Sequence, residues 1–178
     1  MGTRWWIPPI WLLACAIVQG SLIPALGVRQ GRPDFVLQSV VIWAVTNGAR
    51  HGLAWALVGG LCLDAVSGAP PGTATLALVL VAFLSSAGDV SQLGNVPWLP
   101  MATVFLATVV HGAILMVILT SQGMPNGEWL GTMQWVVLPE AVANALTMPV
   151  TYWALRRIAS IDRPRIRLQF GQIGRAHV

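Results

Sequence analysis

The apolar segments of this chain leave it almost no polar surface to fold behind. Six stretches, at about residues 7–26, 34–48, 52–66, 73–87, 98–119 and 135–155, carry few charges and are separated by short polar or Pro/Gly-rich breaks. Together they take up most of the 178 residues, and only 9% of the chain is charged, against roughly 25% in soluble domains. A water-soluble fold of this size covers its core with polar side chains; a bilayer removes that need. The expected class is an all-α polytopic membrane protein of about six transmembrane helices, because in hydrocarbon a helix satisfies its own backbone.

The second and third segments are about 15 residues each, below the roughly 17–25 that usually cross a bilayer. They tilt little, borrow flanking residues, or dip in as a re-entrant hairpin. Each alternative leaves both termini on one side. Arg50 and His51 mark the tight turn between them, and Thr120 to Gln134 forms the longest loop, carrying Glu128. With both termini in the cytoplasm, Arg4, Arg50 and six tail arginines lie inside and Arg29 and Arg32 outside, the sense of the positive-inside rule. Trp5, Trp6, Trp43, Trp55, Trp98 and Trp153 then fall near the inner boundary and Trp129 and Trp135 near the outer one, as aromatic belts.

The expected organisation is a transmembrane bundle over 1–157 and a basic cytoplasmic tail over 158–178. Arg156, Arg157, Arg163, Arg165, Arg167 and Arg175 read first as an anchor among anionic membrane lipids, ahead of a dedicated partner site. The charge is too local to suggest nucleic acid. Arg165, Arg167 and Gln169 alternate with Ile166, Leu168 and Phe170; a strand added to a partner's sheet is one reading, and a disordered or surface-lying tail the preferred one. Leu12-Leu13-Ala14-Cys15 loosely resembles a lipoprotein cleavage box, but Pro8 and Pro9 interrupt the apolar run, which continues to Ile23. An uncleaved first helix is expected. Cys15 and Cys62 read as small core residues.

Charges inside a membrane are costly and ask for partners. Asp64 ends a stripe of Gly52, Ala56, Gly60, Asp64 and Gly68, spaced by four, where small residues admit a close helix neighbour. A salt bridge from Asp64 to Arg29 or Arg32 is preferred over a proton or ion site. Asp34, directly after Pro33, reads as a helix cap. Glu140, Asn144, Thr147 and Thr151 share one face of the sixth segment and should face the bundle interior or a partner helix; Pro139 and Pro149 are positions at which that helix can bend. His111 lies at a similar depth to Glu140, so a His111–Glu140 hydrogen bond is one expectation and a buried neutral imidazole the other. Asp34, Asp64, His111 and Glu140 together form an outer-half polar cluster. No H-E-x-x-H, G-x-S-x-G or G-x-x-x-x-G-K-[ST] motif occurs, the histidines have no metal-ligand spacing, and no C-x-x-C pair exists. No catalytic, cofactor or metal residue is expected.

The run Arg32-Pro33-Asp34, followed by Gly59-Gly60-Leu61-Cys62-Leu63-Asp64 and Ser67-Gly68-Ala69-Pro70-Pro71-Gly72, resembles the bacterial rod-shape-determining MreD family. That family shows an aspartate opening one helix, a Gly-Leu-x-x-Asp run, and Ser-Gly-x-Pro-x-Gly. The match covers roughly residues 32–84. It implies a non-enzymatic scaffold of the cell-elongation (peptidoglycan synthesis) machinery in the inner membrane, with MreC as partner. Through MreC it would meet MreB, and act beside RodA and its class B penicillin-binding protein. The implied fold is similar to the six-helix S components of energy-coupling transporters, which leaves substrate capture as the alternative function. Carried over, Asp34 and Asp64 are the acidic motif positions, Gly60, Gly68, Pro70 and Gly72 the backbone ones, with Arg32 opening the motif.

Overall fold

The computed structural model describes residues 7–22, 31–68, 70–86, 98–123 and 128–161, and every element among them is helical. Helix α1 is Ile7–Ile17, prolonged by a π-helical turn, Val18–Leu22. Helices α2 (Phe35–Asn47), α3 (Ala49–Ser67), α4 (Thr73–Ser86) and α5 (Leu99–Ser121) follow. The last, α6, starts as a short helix at Trp129–Thr132, passes through a π-helical turn at Met133–Val137, and runs on as Leu138–Ile161.

Helix α2 is the central column: it packs against α1, α3, α4, α5 and α6. Nine of its thirteen residues are buried, and it is apolar nearly all round, as a helix wrapped by others should be. At about 1.5 Å per residue it is only some 20 Å long. Its neighbours, rather than its own length, keep it out of water. Helix α3 is longer than expected, because the break lies at Gly48 (φ +82°) and not at Arg50 and His51, which belong to the first turn of α3. A positive φ reverses the chain in one residue where glycine bears no Cβ penalty; charged side chains alone do not stop a helix. Helices α2 and α3 then run antiparallel. Trp43 stacks on Trp55 at 4.3 Å between ring centroids, and Gly52 lies so close to Ala44 that a Cβ there would collide with it. Trp55 is therefore a buried core residue and not part of an aromatic belt. Trp98, Trp129, Trp135 and Trp153 remain exposed.

The expected loop from Thr120 to Gln134 is shortened at both ends: α5 persists to Ser121 and α6 restarts at Trp129, with Glu128 at its N-cap position. Pro149 lies inside α6 without ending it, and α6 continues past the expected bundle boundary at 157. The tail from 162 onward, with its alternating arginines, lies outside the described residues. Cys15 is buried and Cys62 half-buried, both as free thiols.

Exposure is inverted relative to a water-soluble protein. Leu61, Phe83, Leu106, Leu146 and Val150 are each 60–67% exposed, while Gln38, Ser39 and Asn144 are 0% exposed. Large apolar side chains outside and polar ones inside suit a hydrocarbon surround. Among the described residues, helix α5 alone is long and apolar enough to cross a membrane by itself; α1, α2 and α4 are shorter apolar helices, and α3 and α6 carry Arg50, Asp64, Glu140, Arg156 and Arg157.

Candidate functional site

Two polar constructions occupy the end of the bundle where α1 and α3 finish and α2, α4 and the main run of α6 begin. The first joins α3 to α4. The Asp64 Oδ2 accepts from the Gly72 amide at 2.9 Å, the Thr75 amide at 3.3 Å and the Thr75 hydroxyl at 2.7 Å, while Oδ1 accepts from the Ala74 amide at 2.9 Å. The first N–H groups of a helix have no partner within it, and here a carboxylate from the preceding helix supplies one. The expected salt bridge to Arg32 is replaced by this cap, and Arg29 lies outside the described residues.

The intervening residues bring the two helices to that distance. Gly68 ends α3 in the left-handed conformation (φ +64°), the usual glycine C-cap. The Pro70 carbonyl accepts from the Thr73 amide and hydroxyl at 3.2 and 2.7 Å, and Gly72 again takes a positive φ. Gly60, one turn before Asp64, lies against the backbone of Thr75 with no room for a Cβ. The stripe of small residues is thus divided: Gly52 admits α2, and Gly60 admits α4.

The second construction ties α2 to α5 and α6. Asp34 is the N-cap of α2, its Oδ1 accepting from the Leu37 amide at 2.8 Å, as a carboxylate after Pro33 leads one to expect. Its own amide donates to Asn144 Oδ1, as does Gln38 Nε2 at 3.0 Å. Asn144 Nδ2 in turn donates to Thr108 Oγ1 at 3.0 Å. Gln38 also donates to Thr147 Oγ1 at 2.8 Å and accepts from Thr151 Oγ1 at 2.7 Å. The polar face of α6 therefore turns inward, and one buried glutamine receives three of its residues. Gln38 has no signal in the sequence, being a single amide in an apolar run. Nor do Thr108, Gln19, whose Oε1 accepts from the Val36 amide at 3.3 Å, or Trp11, whose indole N–H donates to Ser39 at 3.0 Å.

His111 is 5% exposed, and its Nε2 has no hydrogen-bond partner. The His111–Glu140 hydrogen bond is not formed. Glu140 instead lines an open cleft of about 390 Å³ with Asp34 and Arg32. The four-member polar cluster expected on the outer half accordingly separates: Asp34 and Glu140 share the cleft, His111 is buried in α5, and Asp64 is committed to α4.

The family model for rod shape-determining protein MreD matches residues 3–158. The chain belongs to the MreD family. It is thereby a rod-shape-determining protein of the bacterial inner membrane, from a family with a structural rather than an enzymatic role. No curated protein and no solved structure matches it significantly. Within this MreD-family chain, the stretch from Gly60 to Gly72 that resembles the family pattern supplies Asp64 and one of the donors it accepts from, the Gly72 amide, while the other donors belong to Ala74 and Thr75 just beyond it.

Proposed function

We propose that this MreD-family protein is a non-enzymatic scaffold of the cell-elongation complex that binds MreC through its helical bundle. Its link to MreB, RodA and the class B penicillin-binding protein would be direct or through MreC. The family membership carries this reading. It is supported by the exposed aliphatic faces of the bundle, which suit a partner's membrane helix as well as lipid. Six crossings with both termini in the cytoplasm, in an arrangement like an S component, are part of the same reading. The bias of arginine toward one side supports them, and Arg156 and Arg157, lying over the Tyr152 and Trp153 rings, would mark the cytoplasmic boundary and meet lipid headgroups. In this reading Arg32, Asp34, Gly60, Asp64, Gly68, Pro70 and Gly72 preserve the shape of the partner-binding bundle, and His111, Glu140 and Asn144 are its intramembrane polar residues.

The test is co-expression with MreC from the same genome. The two should co-purify in mild detergent, and depletion of the chain should round the cells. Failure of both would end the scaffold reading.

A second reading, substrate capture of the S-component kind, is favoured by one observation, the open cleft beside Asp34 and Glu140. Thermal stabilisation by a panel of small ligands would support it, and flat melting curves would count against it.

A further inference from the structure

Helices of like diameter, with axes about 8–10 Å apart, fit six around one. Five surround α2 here: α1, α3, α4, α5 and α6 follow in that circular order, each packed against the next and against α2. The ring stays open between its two ends, because no substantial packing joins α6 back to α1. The sixth place beside the central helix is therefore a seam between the first helix of the chain and the last.

Two cavities lie along this seam. One is the open cleft bordered by Gln19, Asp34 and Glu140. The other, of about 250 Å³, has Ala14, Cys15 and Val18 of α1 on one wall, Val150 and Ala154 of α6 on the other, and Phe35 of α2 between them. No polar atom is exposed in the second cavity. The two polar side chains that border it spend their polar atoms inward, the Thr151 hydroxyl on Gln38 and the Trp11 indole N–H on Ser39. A small-molecule site is larger, roughly 300–1,000 Å³, and carries convergent polar groups; this groove has neither feature. Ala14, Cys15 and Ala154 keep its walls low, which lets another helix backbone come close.

Length and composition decide the occupant. From Glu140 to Ala154 the seam follows α6 for about 20 Å, more than the roughly 15 Å that one leaflet of hydrocarbon provides. A single acyl chain is too short for it and a helix is not. The longest run of this chain outside the described residues, 162–178, carries Arg163, Arg165, Arg167 and Arg175, which exclude it from an apolar groove, and the other such runs are shorter. A second copy has no spare helix to insert, since each of its described helices already packs on at least two others. What fits is one apolar helix, free on all sides, from a different chain.

We propose that the seam between α1 and α6 receives a single membrane-spanning helix of a partner protein, which completes the ring around α2. This assignment rests on the scaffold reading, in which the partner is MreC, and gives the contact to one face of the bundle. A helix satisfies its own backbone in hydrocarbon, so a groove without polar groups suffices to hold it, with bulky apolar side chains of the partner filling the space between Ala14 and Ala154.

The test co-expresses the full chain with MreC, with p-benzoylphenylalanine replacing Ala14, Val150 or, as a control beside α4, Leu106. Irradiation should give an MreC adduct from Ala14 and from Val150, and about tenfold less from Leu106. Separately, Ala14→Phe and Ala154→Phe fill the groove from its two walls. Each should lower the MreC recovered in mild detergent by about tenfold, while Ala102→Phe, on an exposed position of α5, should leave it unchanged. The Tm of each variant alone shows whether it folds, and the adducts decide the matter if a groove variant does not. Adducts from Leu106 and not from the seam, or full recovery of MreC by both groove variants, would overturn the seam assignment and leave the scaffold role standing. Failure of the wild-type chain to recover MreC would remove both. Seam adducts with a second copy or with lipid alone would also overturn the proposal, by naming another occupant.

Discussion

The hydroxyl of Thr75 donates to the Asp64 carboxylate at 2.7 Å across eleven residues of sequence, and that contact joins the end of one helix to the start of the next. An aspartate that costs energy in a membrane is thereby converted into the cap of a helix that has no cap of its own.

Asp64→Ala removes the acceptor for three amides and one hydroxyl at once. Hydrogen bonds to charged groups contribute about 1.5–3 kcal/mol each, non-additively, so a total loss of about 2–4 kcal/mol is expected. Asp64→Asn keeps one acceptor oxygen and loses the charge at the helix N-terminus, and should cost about half as much. Thermal unfolding in detergent measures both. A D64A protein with wild-type Tm would show that the cap contributes nothing.

The glycines of the same hairpin should separate by mechanism. At Gly60 a Cβ meets the Thr75 backbone, so Gly60→Ala forces α3 and α4 apart and should cost about 1–3 kcal/mol. At Gly68 the space is open and only the positive φ resists substitution; Gly68→Ala should cost about 1 kcal/mol. The order of the two melting temperatures is the readout, and a larger loss at Gly68 would place the constraint in the turn instead of the helix contact.

Much of this architecture is visible in the sequence where the signal is local. Asp34 after Pro33 reads as a cap because its partner, the Leu37 amide, is three residues away. The spacing of Asn144, Thr147 and Thr151 reads as one inward face because helical geometry is periodic. Asp64 was legible as a residue needing a partner, but the partner is mainly backbone amide, which every residue carries and no composition reveals. Arg50 and His51 suggest a turn by their charge, whereas the turn belongs to Gly48. Gln38 meets Thr151 across 113 residues, a pairing that only the packing of α2 at the bundle centre creates.

That pairing is itself measurable. Gln38→Leu deprives Thr151 of its acceptor and Asn144 and Thr147 of a donor, inside a low-dielectric core where unsatisfied groups are expensive. A loss of about 1–3 kcal/mol is expected. Asn144→Leu should act on the same network, so the double variant should depart from additivity by about 0.5–3 kcal/mol. Additive melting shifts would mean that Gln38 and Asn144 do not act as one unit.

His111 should behave in the opposite way. Its Nε2 is buried and unpartnered, and a buried polar group without a partner destabilises by roughly 1–3 kcal/mol. His111→Leu replaces it with an apolar side chain in an otherwise apolar stretch of α5, so Tm should be unchanged or higher. A fall of several degrees would show that the imidazole has a partner in the membrane-embedded protein. If the variant is stable but no longer restores rod shape to depleted cells, the imidazole is retained for function at a cost in stability.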